Sequence, residues 1–427
     1  MDAQRNQRTG PRDHADRIAA HASELSARLQ AHRLNLFPPK AQKPLRAFQA
    51  GEAAKFLGVT SGYLRNLSLE GSGPRPLVTA SGRRSYTAEQ IQELRAYLSQ
   101  TGRADRCYDP RRRESEHLQV IAVVNFKGGS CKTTTAAHLV QHLALRGQRV
   151  LAIDLDPQAS LSALHGFQPE LDVGVNGSLY GAIRYDDEAV PLSQIVCRTN
   201  FPGLDIVPGN IELMEFEYET ARVLAGADPE AKNAVFACLD KALSSVRGHY
   251  DVVVVDCPPH LGFLTMACLC TATAMLITVH PQMLDVMSVS QFLVMMGNTL
   301  GVLENAGVDI GYDWTRYLLT RFEPGDGPQA QMVRFMRAAF GDYVIPQEMY
   351  KSVAIADAGI TKQTLYEVER RQFSPVTYDR AMECLDAVNG EIERLIHKSW
   401  GRGGTLEKFQ TPLPDTTALP EEVANVA

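Results

Sequence analysis

The chain has 427 residues, 44% of them hydrophobic and 22% charged, so it is globular and too long for one ordinary core. No apolar run reaches 18 residues, and Met1 to Gly10 is polar, so the sequence predicts no transmembrane helix, no signal segment and a cytoplasmic location. The net charge of −6 hides an asymmetry: residues 1–117 hold 20 Lys/Arg against 12 Asp/Glu, whereas the remainder holds 23 against 37. A basic N-terminal part on an acidic body is the footprint of a nucleic-acid-binding appendage, and it predicts two separate domains.

In chain order, Asp13 to Arg33 carries Ile18, Ala22, Leu25 and Leu29 at helical spacing. Residues 1–40 are expected to form an amphipathic helix that ends before Pro38-Pro39 and packs on a partner subunit or on its own domain. Residues 41–100 read as a winged helix-turn-helix. Gly51 to Leu57 is a short helix with Ala53, Ala54 and Leu57 inward, Gly58-Val59-Thr60 a turn with Thr60 as N-cap, and Ser61 to Leu69 a second helix carrying Tyr63, Arg65 and Asn66. Leu77 to Tyr86 reads as a wing, with Gly82 near its tip and Arg83 and Arg84 beside it. A capping box at Thr87 then opens a further helix. The order resembles a MerR-like winged helix, in which Tyr63, Arg65 and Asn66 would enter the major groove and Arg83 and Arg84 would meet phosphate or the minor groove. Residues 101–117 form a polar linker with Arg111-Arg112-Arg113, and a triple arginine is more often a solvated surface than a contact.

From residue 118 the pattern changes to strand and helix in alternation. Leu118 to Val124 is an apolar strand, Lys127-Gly128-Gly129-Ser130-Cys131-Lys132-Thr133 a glycine loop, and Thr134 to Leu145 a helix. This is a phosphate cradle: glycines let backbone N–H groups approach a polyphosphate, and the helix N-terminus favours its charge. Lys132 would reach the β- and γ-phosphates of a nucleotide, the Thr133 hydroxyl would bind Mg²⁺, and Thr134 belongs to the same helix start. The loop departs from G-x-x-x-x-G-K-[ST], having Phe126 and Cys131 where glycines are usual. If position 131 needs a positive φ, its Cβ costs about 1 kcal/mol. At a helix N-terminus beside Lys132, its thiol is expected to have a lowered pKa.

The strand Gln148 to Ile153 ends in Asp154-Leu155-Asp156-Pro157-Gln158, which puts two carboxylates at the sheet edge where doubly wound folds bind ligands. Asp251 to Val255 holds four consecutive valines, a strand buried on both faces, and Asp256 at its end reads as a Walker B carboxylate for Mg²⁺. The expected fold is α/β, with a P-loop, doubly wound, mostly parallel sheet over residues 118–402 and a disordered tail at 403–427. The eight cysteines are scattered, which fits reduced thiols, and Cys268-Leu269-Cys270 completes no zinc site.

The loop resembles K-G-G-x-x-K-[ST], the deviant Walker A motif of the ParA/MinD class of P-loop ATPases, and D-x-D-P-Q resembles the A′ motif of ParA proteins. From about Asn35 to Arg402 the chain is similar to the RepA family, the ParA-type plasmid partition ATPases of repABC cassettes. That similarity is carried by Asn35 to Lys40, Asn125 to Gly129, Asp154 to Ser162, Val207 to Asn210 with Glu212 to Glu215, Val279 to Ser288, and Asp357 to Tyr366. The resemblance implies ATP and Mg²⁺ as cofactors and an ATP-bridged homodimer in which Lys127 crosses to the partner's nucleotide. It gives Asp156 the task of positioning the attacking water, places Asp154 near the Mg²⁺ shell, and sets Pro281 against the base with Arg321 starting a loop nearby. It also implies nonspecific DNA binding, with Lys351 and Lys362 as candidate contacts. A ParB-type (RepB) protein would stimulate hydrolysis, and the winged helix would repress the operon; no membrane partner is implied. A DNA-binding repressor with a weak or vestigial ATPase domain is the alternative reading.

Overall fold

The computed structural model describes residues 12–36, 43–80, 82–101, 108–226 and 234–402. The disorder expected for residues 403–427 concerns a segment outside the described residues. Contacts divide the chain into Met1–Pro44 and Leu45–Ala427. Among the described residues, the first unit contains helix α1 (Arg12–Leu36), whose Ile18 and Leu25 are exposed.

In the second unit, α2 (Ala50–Leu57) and α3 (Ser61–Leu69) form a helix-turn-helix. Gly58 ends α2 in the left-handed region, and the Thr60 hydroxyl accepts from the Tyr63 N–H at 3.2 Å, which fixes the start of α3. Strands β1 (Phe48–Gln49), β2 (Leu77–Val78) and β3 (Arg84–Tyr86) make a small antiparallel sheet in the order β1-β3-β2. Helix α4 (Ala88–Thr101) opens on the capping box: Thr87 N–H donates to Gln90 Oε1 and Gln90 N–H to Thr87 Oγ1, at 3.0 and 3.3 Å.

The larger sheet has eight strands: β4 (Gln119–Val124), β5 (Val150–Asp154), β6 (Cys197–Arg198), β7 (Leu204–Val207), β8 (Val252–Asp256), β9 (Ala274–Val279), β10 (Trp314–Phe322) and β11 (Met349–Tyr350). Their order is β11-β10-β9-β4-β8-β5-β7-β6, and every pairing is parallel except β6 with β7. Both faces are covered, which is why the central strands β4, β5, β8 and β9 are apolar along most of their length. Val252 and Val254 join one core, with α5 (Lys132–Leu145) and part of α7 (Pro375–Ser399). Val253 and Val255 join the other, with residues of α6 (Met283–Asn305). Helix α6 is the one described helix long and apolar enough to cross a membrane; its Val286, Val289, Phe292 and Met296 are buried in that second core.

The helix-turn-helix part packs against the sheet domain within one compact unit. Buried Arg95 of α4 donates to the carbonyls of Phe56, Leu145 and Tyr108. Burial first, then the charge of Arg146, pulls its guanidinium down to about 10. Arg146 itself donates to the Lys55 and Phe56 carbonyls and pairs with Glu393 of α7. Gly147 lets the two parts meet, since a Cβ there would lie 2.3 Å from Arg95 Nε. The charge asymmetry could not show this seam, which uses carbonyls, the buried Arg95 and the half-buried Arg146.

Candidate nucleotide site

The glycine loop joins the carboxyl end of β4 to α5. Asn125 fastens its root: the side-chain amide donates to Thr278 O of β9 at 2.6 Å, and Oδ1 accepts from the Lys127 N–H at 3.0 Å. Ser130 is buried and pins the middle of the loop, accepting from Thr278 Oγ1 on its hydroxyl and from Thr320 Oγ1 on its carbonyl, both at 3.0 Å. Gly129 has φ +81°, and Gly128 has open space where a Cβ would stand. Phe126, the residue that replaces the usual first glycine, stacks on Phe292 of α6 at 5.8 Å.

Cys131 is the N-cap of α5 with φ 64° and ψ 27°, so the strain expected of a non-glycine residue is present. The expected low thiol pKa is not. Burial pushes the Cys131 thiol up, and the charges of Arg321 and Lys132 offset this only in part. The helix terminus is outweighed because the side chain is largely shielded from water.

Lys132 is buried and donates to its own loop, to Lys127 O at 3.3 Å. Burial pulls its ammonium below the usual lysine range, and Asp256 is the largest opposing influence. Thr133 and Thr134 are half-buried in the first turn of α5. Lys127 is ion-paired with Asp285 of its own chain, the third residue of α6. Asp285 also holds His280 Nδ1 at 3.3 Å.

Beside the loop, β5 and β8 place Asp154 and Asp256 opposite each other in register. Asp154 is fully buried and accepts from the Ser162 N–H at 2.8 Å, the Ser162 hydroxyl at 2.7 Å and the Asp156 N–H at 3.2 Å. Burial raises its carboxyl to about 6 despite these donors. Ser162 Oγ in turn accepts from Gly209 N–H at 2.9 Å, so the Val207-Pro208-Gly209 turn braces the aspartate. Asp256 is pushed well above the carboxylate range by burial and by Asp154. Neither of its shielded oxygens meets a donor in full hydrogen-bond geometry, although the Thr133 hydroxyl stands near enough to offset part of that rise. Asp156 is half-buried and accepts from the Gln158 N–H at 2.9 Å.

Two orphaned carboxylate oxygens beside Asp154 and the Thr133 turn are what a hard divalent cation requires, and the donor set fits Mg²⁺. The open side of Gly128 and the lightly held Lys132 ammonium fit a polyphosphate.

Pro281 is buried just after β9. Arg321, expected to start a loop, lies inside β10 with φ 55°, where the pairing with β11 shifts register. The bulge turns its guanidinium onto Gly129 O at 3.2 Å, so it braces the phosphate loop. Tyr63, Arg65, Asn66 and Arg83 are exposed and Arg84 is half-buried, all on the helix-turn-helix part. Lys351 is paired with Glu323 at 2.9 Å, and Lys362 is half-buried with φ 53°. Sequence reasoning missed Asp285 and the Phe126–Phe292 stack, because each pairs the loop with a helix more than 150 residues away, and His280, which joins the site only through Asp285.

Residues 118–305 match a family described as an AAA domain. The chain is 56% identical over 393 residues to a protein called replication protein A from Sinorhizobium fredii, covering 92% of this chain and 96% of that one. It is 30% identical over 389 residues to Protein SopA of Escherichia coli K12, covering 88% and 95%. A solved structure described as a partition protein superposes with a TM-score of 0.55 at 17% identity, over 88% of this chain and 98% of that one, and so shares the fold. With a deviant phosphate loop, two facing aspartates and full-length likeness of this kind, the chain belongs to the RepA family of ParA-type partition ATPases.

Proposed function

We propose that this chain binds and hydrolyses ATP with Mg²⁺ to drive plasmid partition, as an ATP-dependent homodimer on DNA. The observation that carries the reading is the pair of orphaned Asp256 oxygens beside Asp154, at the mouth of a loop holding Lys132 and Thr133. Lys132 would hold the β- and γ-phosphates, and Thr133 with Asp256 would hold Mg²⁺, Asp154 lying in its outer shell. The cation supplies charge neutralisation at the transferred phosphoryl group. The backbone of Gly128, Gly129, Ser130, Cys131 and Thr134 would line the polyphosphate, with Pro281 and Arg321 toward the rest of the nucleotide.

Asp156 would orient the attacking water. It is the less buried of the two strand-end carboxylates of β5, and its backbone N–H is held by the other. Lys127 would leave Asp285 and reach the nucleotide of the second subunit. Tyr63, Arg65, Asn66, Arg83 and Arg84 would read an operator for autorepression, and a ParB-type protein would stimulate hydrolysis. Lys351 and Lys362 are proposed contacts for nonspecific DNA, Lys351 giving up Glu323 to make one. Helix α1 would contribute to dimerisation.

The decisive experiment is ATP turnover with and without random duplex DNA, for the wild type and Asp156→Ala. The expected result is DNA-sensitive turnover in the wild type, and loss of turnover with retention of ATP-dependent dimers in the variant. A wild type that binds its operator but shows no turnover under any condition would instead favour the repressor with a vestigial ATPase domain. An Arg65/Arg83/Arg84 triple alanine variant should lose operator binding and keep ATP-dependent binding to random DNA.

A further inference from the structure

The arginine triplet after α4 lies in a built site. A pocket of about 430 Å³ is lined by Asp109, Arg111, Arg112, Arg113 and Arg149. It sits at the amino edge of the large sheet, since Arg149 directly precedes β5 and Asp251, which holds it, directly precedes β8. The phosphate loop leaves the opposite edge. Six residues of β4, at about 3.3 Å each, put roughly 20 Å between the two.

Two of the guanidinium groups, those of Arg149 and Arg112, are held in place by a buried carboxylate and by backbone carbonyls. Asp251 has no exposed surface and accepts from the Arg149 N–H at 2.8 Å, from Arg149 Nη2 at 2.6 Å and from the Arg112 N–H at 3.1 Å. Arg112 spans from Glu116 O to Arg247 O, at 3.1 and 2.7 Å, and its Nε is shielded with no hydrogen-bond partner. Arg111 is paired with Asp109 at 2.6 Å. The exposed Arg113 side chain has no ion pair among the described residues. Four guanidinium groups therefore line one pocket with one lining carboxylate. Burial pulls Arg112 below the usual arginine range; the charge of Asp251 opposes this, and the nearby Arg149 and Arg247 add to it. An oxyanion among them would relieve that crowding, and forked guanidinium donors match phosphate oxygens.

We propose that this pocket is a second phosphate-binding site, distinct from the nucleotide loop. Its ligand is a phosphate group, supplied either by the DNA backbone or by a free polyphosphate. The pocket begins where the helix-turn-helix part ends, because Arg95 of α4 holds the Tyr108 carbonyl next to Asp109. Three of its four arginines, Arg111, Arg112 and Arg113, also lie in the part of the chain that carries the positive excess. A duplex resting on the helix-turn-helix part could place a backbone phosphate here. The DNA source rests on the proposed DNA binding; the free-phosphate source does not.

The test uses the full chain and an Arg111→Ala/Arg113→Ala variant. Both side chains are exposed, and unchanged thermal unfolding and Mg-ATP binding serve as controls. Arg113→Ala, which breaks no ion pair, and Arg113→Lys, which keeps the charge, are run beside it. Inorganic tripolyphosphate binding is measured by calorimetry with Mg-ADP saturating the nucleotide loop, and random duplex binding is measured across a salt series.

The double variant should bind tripolyphosphate about tenfold more weakly, Arg113→Ala should lose part of that, and Arg113→Lys should keep most of it. If the DNA backbone is the source, the slope of log K against log salt also falls by about 2. Loss of tripolyphosphate binding with an unchanged DNA slope identifies a free polyphosphate. Equal tripolyphosphate binding and equal DNA slopes in wild type and double variant overturn the site. Absence of random-DNA binding in the wild type would sink the DNA reading alone, leaving the tripolyphosphate comparison to decide the pocket.

Discussion

Lys127 and Asp285 form an ion pair within one chain, between the second residue after the Asn125 root of the phosphate loop and the first turn of α6. Phe126, next to Lys127, stacks on Phe292 of the same helix. The lysine proposed to act across a dimer is thus engaged in cis, and Asp285 competes with the partner's nucleotide for it. Asp285→Asn should let ATP-dependent dimers form at roughly three- to tenfold lower protein concentration, the release of one partly exposed ion pair. Lys127→Gln should bind ATP as a monomer and fail to dimerise. Sedimentation with Mg-ATP reads both; an unchanged dimerisation midpoint in Asp285→Asn would show that the pair exerts no hold.

Asp154 and Asp256 face each other, buried, with Asp256 unpartnered. In the nucleotide-free protein this arrangement opposes folding, since a shielded carboxylate without a donor in full hydrogen-bond geometry costs about 1–3 kcal/mol. Asp256→Asn should therefore raise the melting temperature of the nucleotide-free protein while abolishing the stabilisation added by Mg-ATP. Differential scanning fluorimetry with and without Mg-ATP checks both. A variant less stable than wild type in the absence of nucleotide would contradict the argument.

Cys131 holds a left-handed conformation that glycine adopts without strain. Cys131→Gly should stabilise the protein by at most about 1 kcal/mol, because the glycine also loosens the unfolded chain. ATP affinity should be kept or improved. Since burial pushes the thiol up, Cys131 should react with maleimide more slowly than a small free thiol at pH 7.5, and mass spectrometry of the labelled protein reads the rate. Labelling as fast as a free thiol would show the helix terminus dominating after all.

His138, buried in α5, donates from Nδ1 to Thr134 O at 2.7 Å and accepts on Nε2 from the Leu365 N–H at 3.3 Å, and burial lowers its pKa to about 4. Unfolding restores a value near 6.5, so between these values the unfolded chain binds more protons. Stability from this group is present in full above about pH 6.5 and is lost as pH falls toward 4, by about 3 kcal/mol at most. Glu393 works in a lower window. Burial would raise its carboxyl, but the His142 hydrogen bond and the charges of His142 and Arg146 hold it at about 2, so its share is lost between about 4.5 and 2. Asp154, raised to about 6, acts in the opposite sense. The measurement is therefore a difference: the stability gap between wild type and His138→Gln, from urea unfolding, should shrink between pH 6.5 and 4. A constant gap across that range would mean that His138 is not held neutral.

The strands, the loop, the aspartates at the strand ends and the two short helices either side of Gly58 were legible because each is local. Four valines ending in Asp256, or glycines between a strand and Lys132, carry their meaning within a dozen residues. The positive φ expected of Cys131 followed from the same loop geometry. What the sequence could not decide depended on distant partners. Burial, not the helix terminus, sets the Cys131 thiol, because burial is a property of the packed interior. Asp285 meets Lys127 and Arg321 turns onto Gly129 at the carboxyl edge of the sheet, and Arg149 joins the arginine triplet at its amino edge, only because the parallel sheet gathers strand ends from across the chain. Charge asymmetry marked a basic N-terminal part. Only tertiary packing, through Arg95, Arg146 and the space at Gly147, joined the portion of it after Pro44 to the sheet domain in one compact unit.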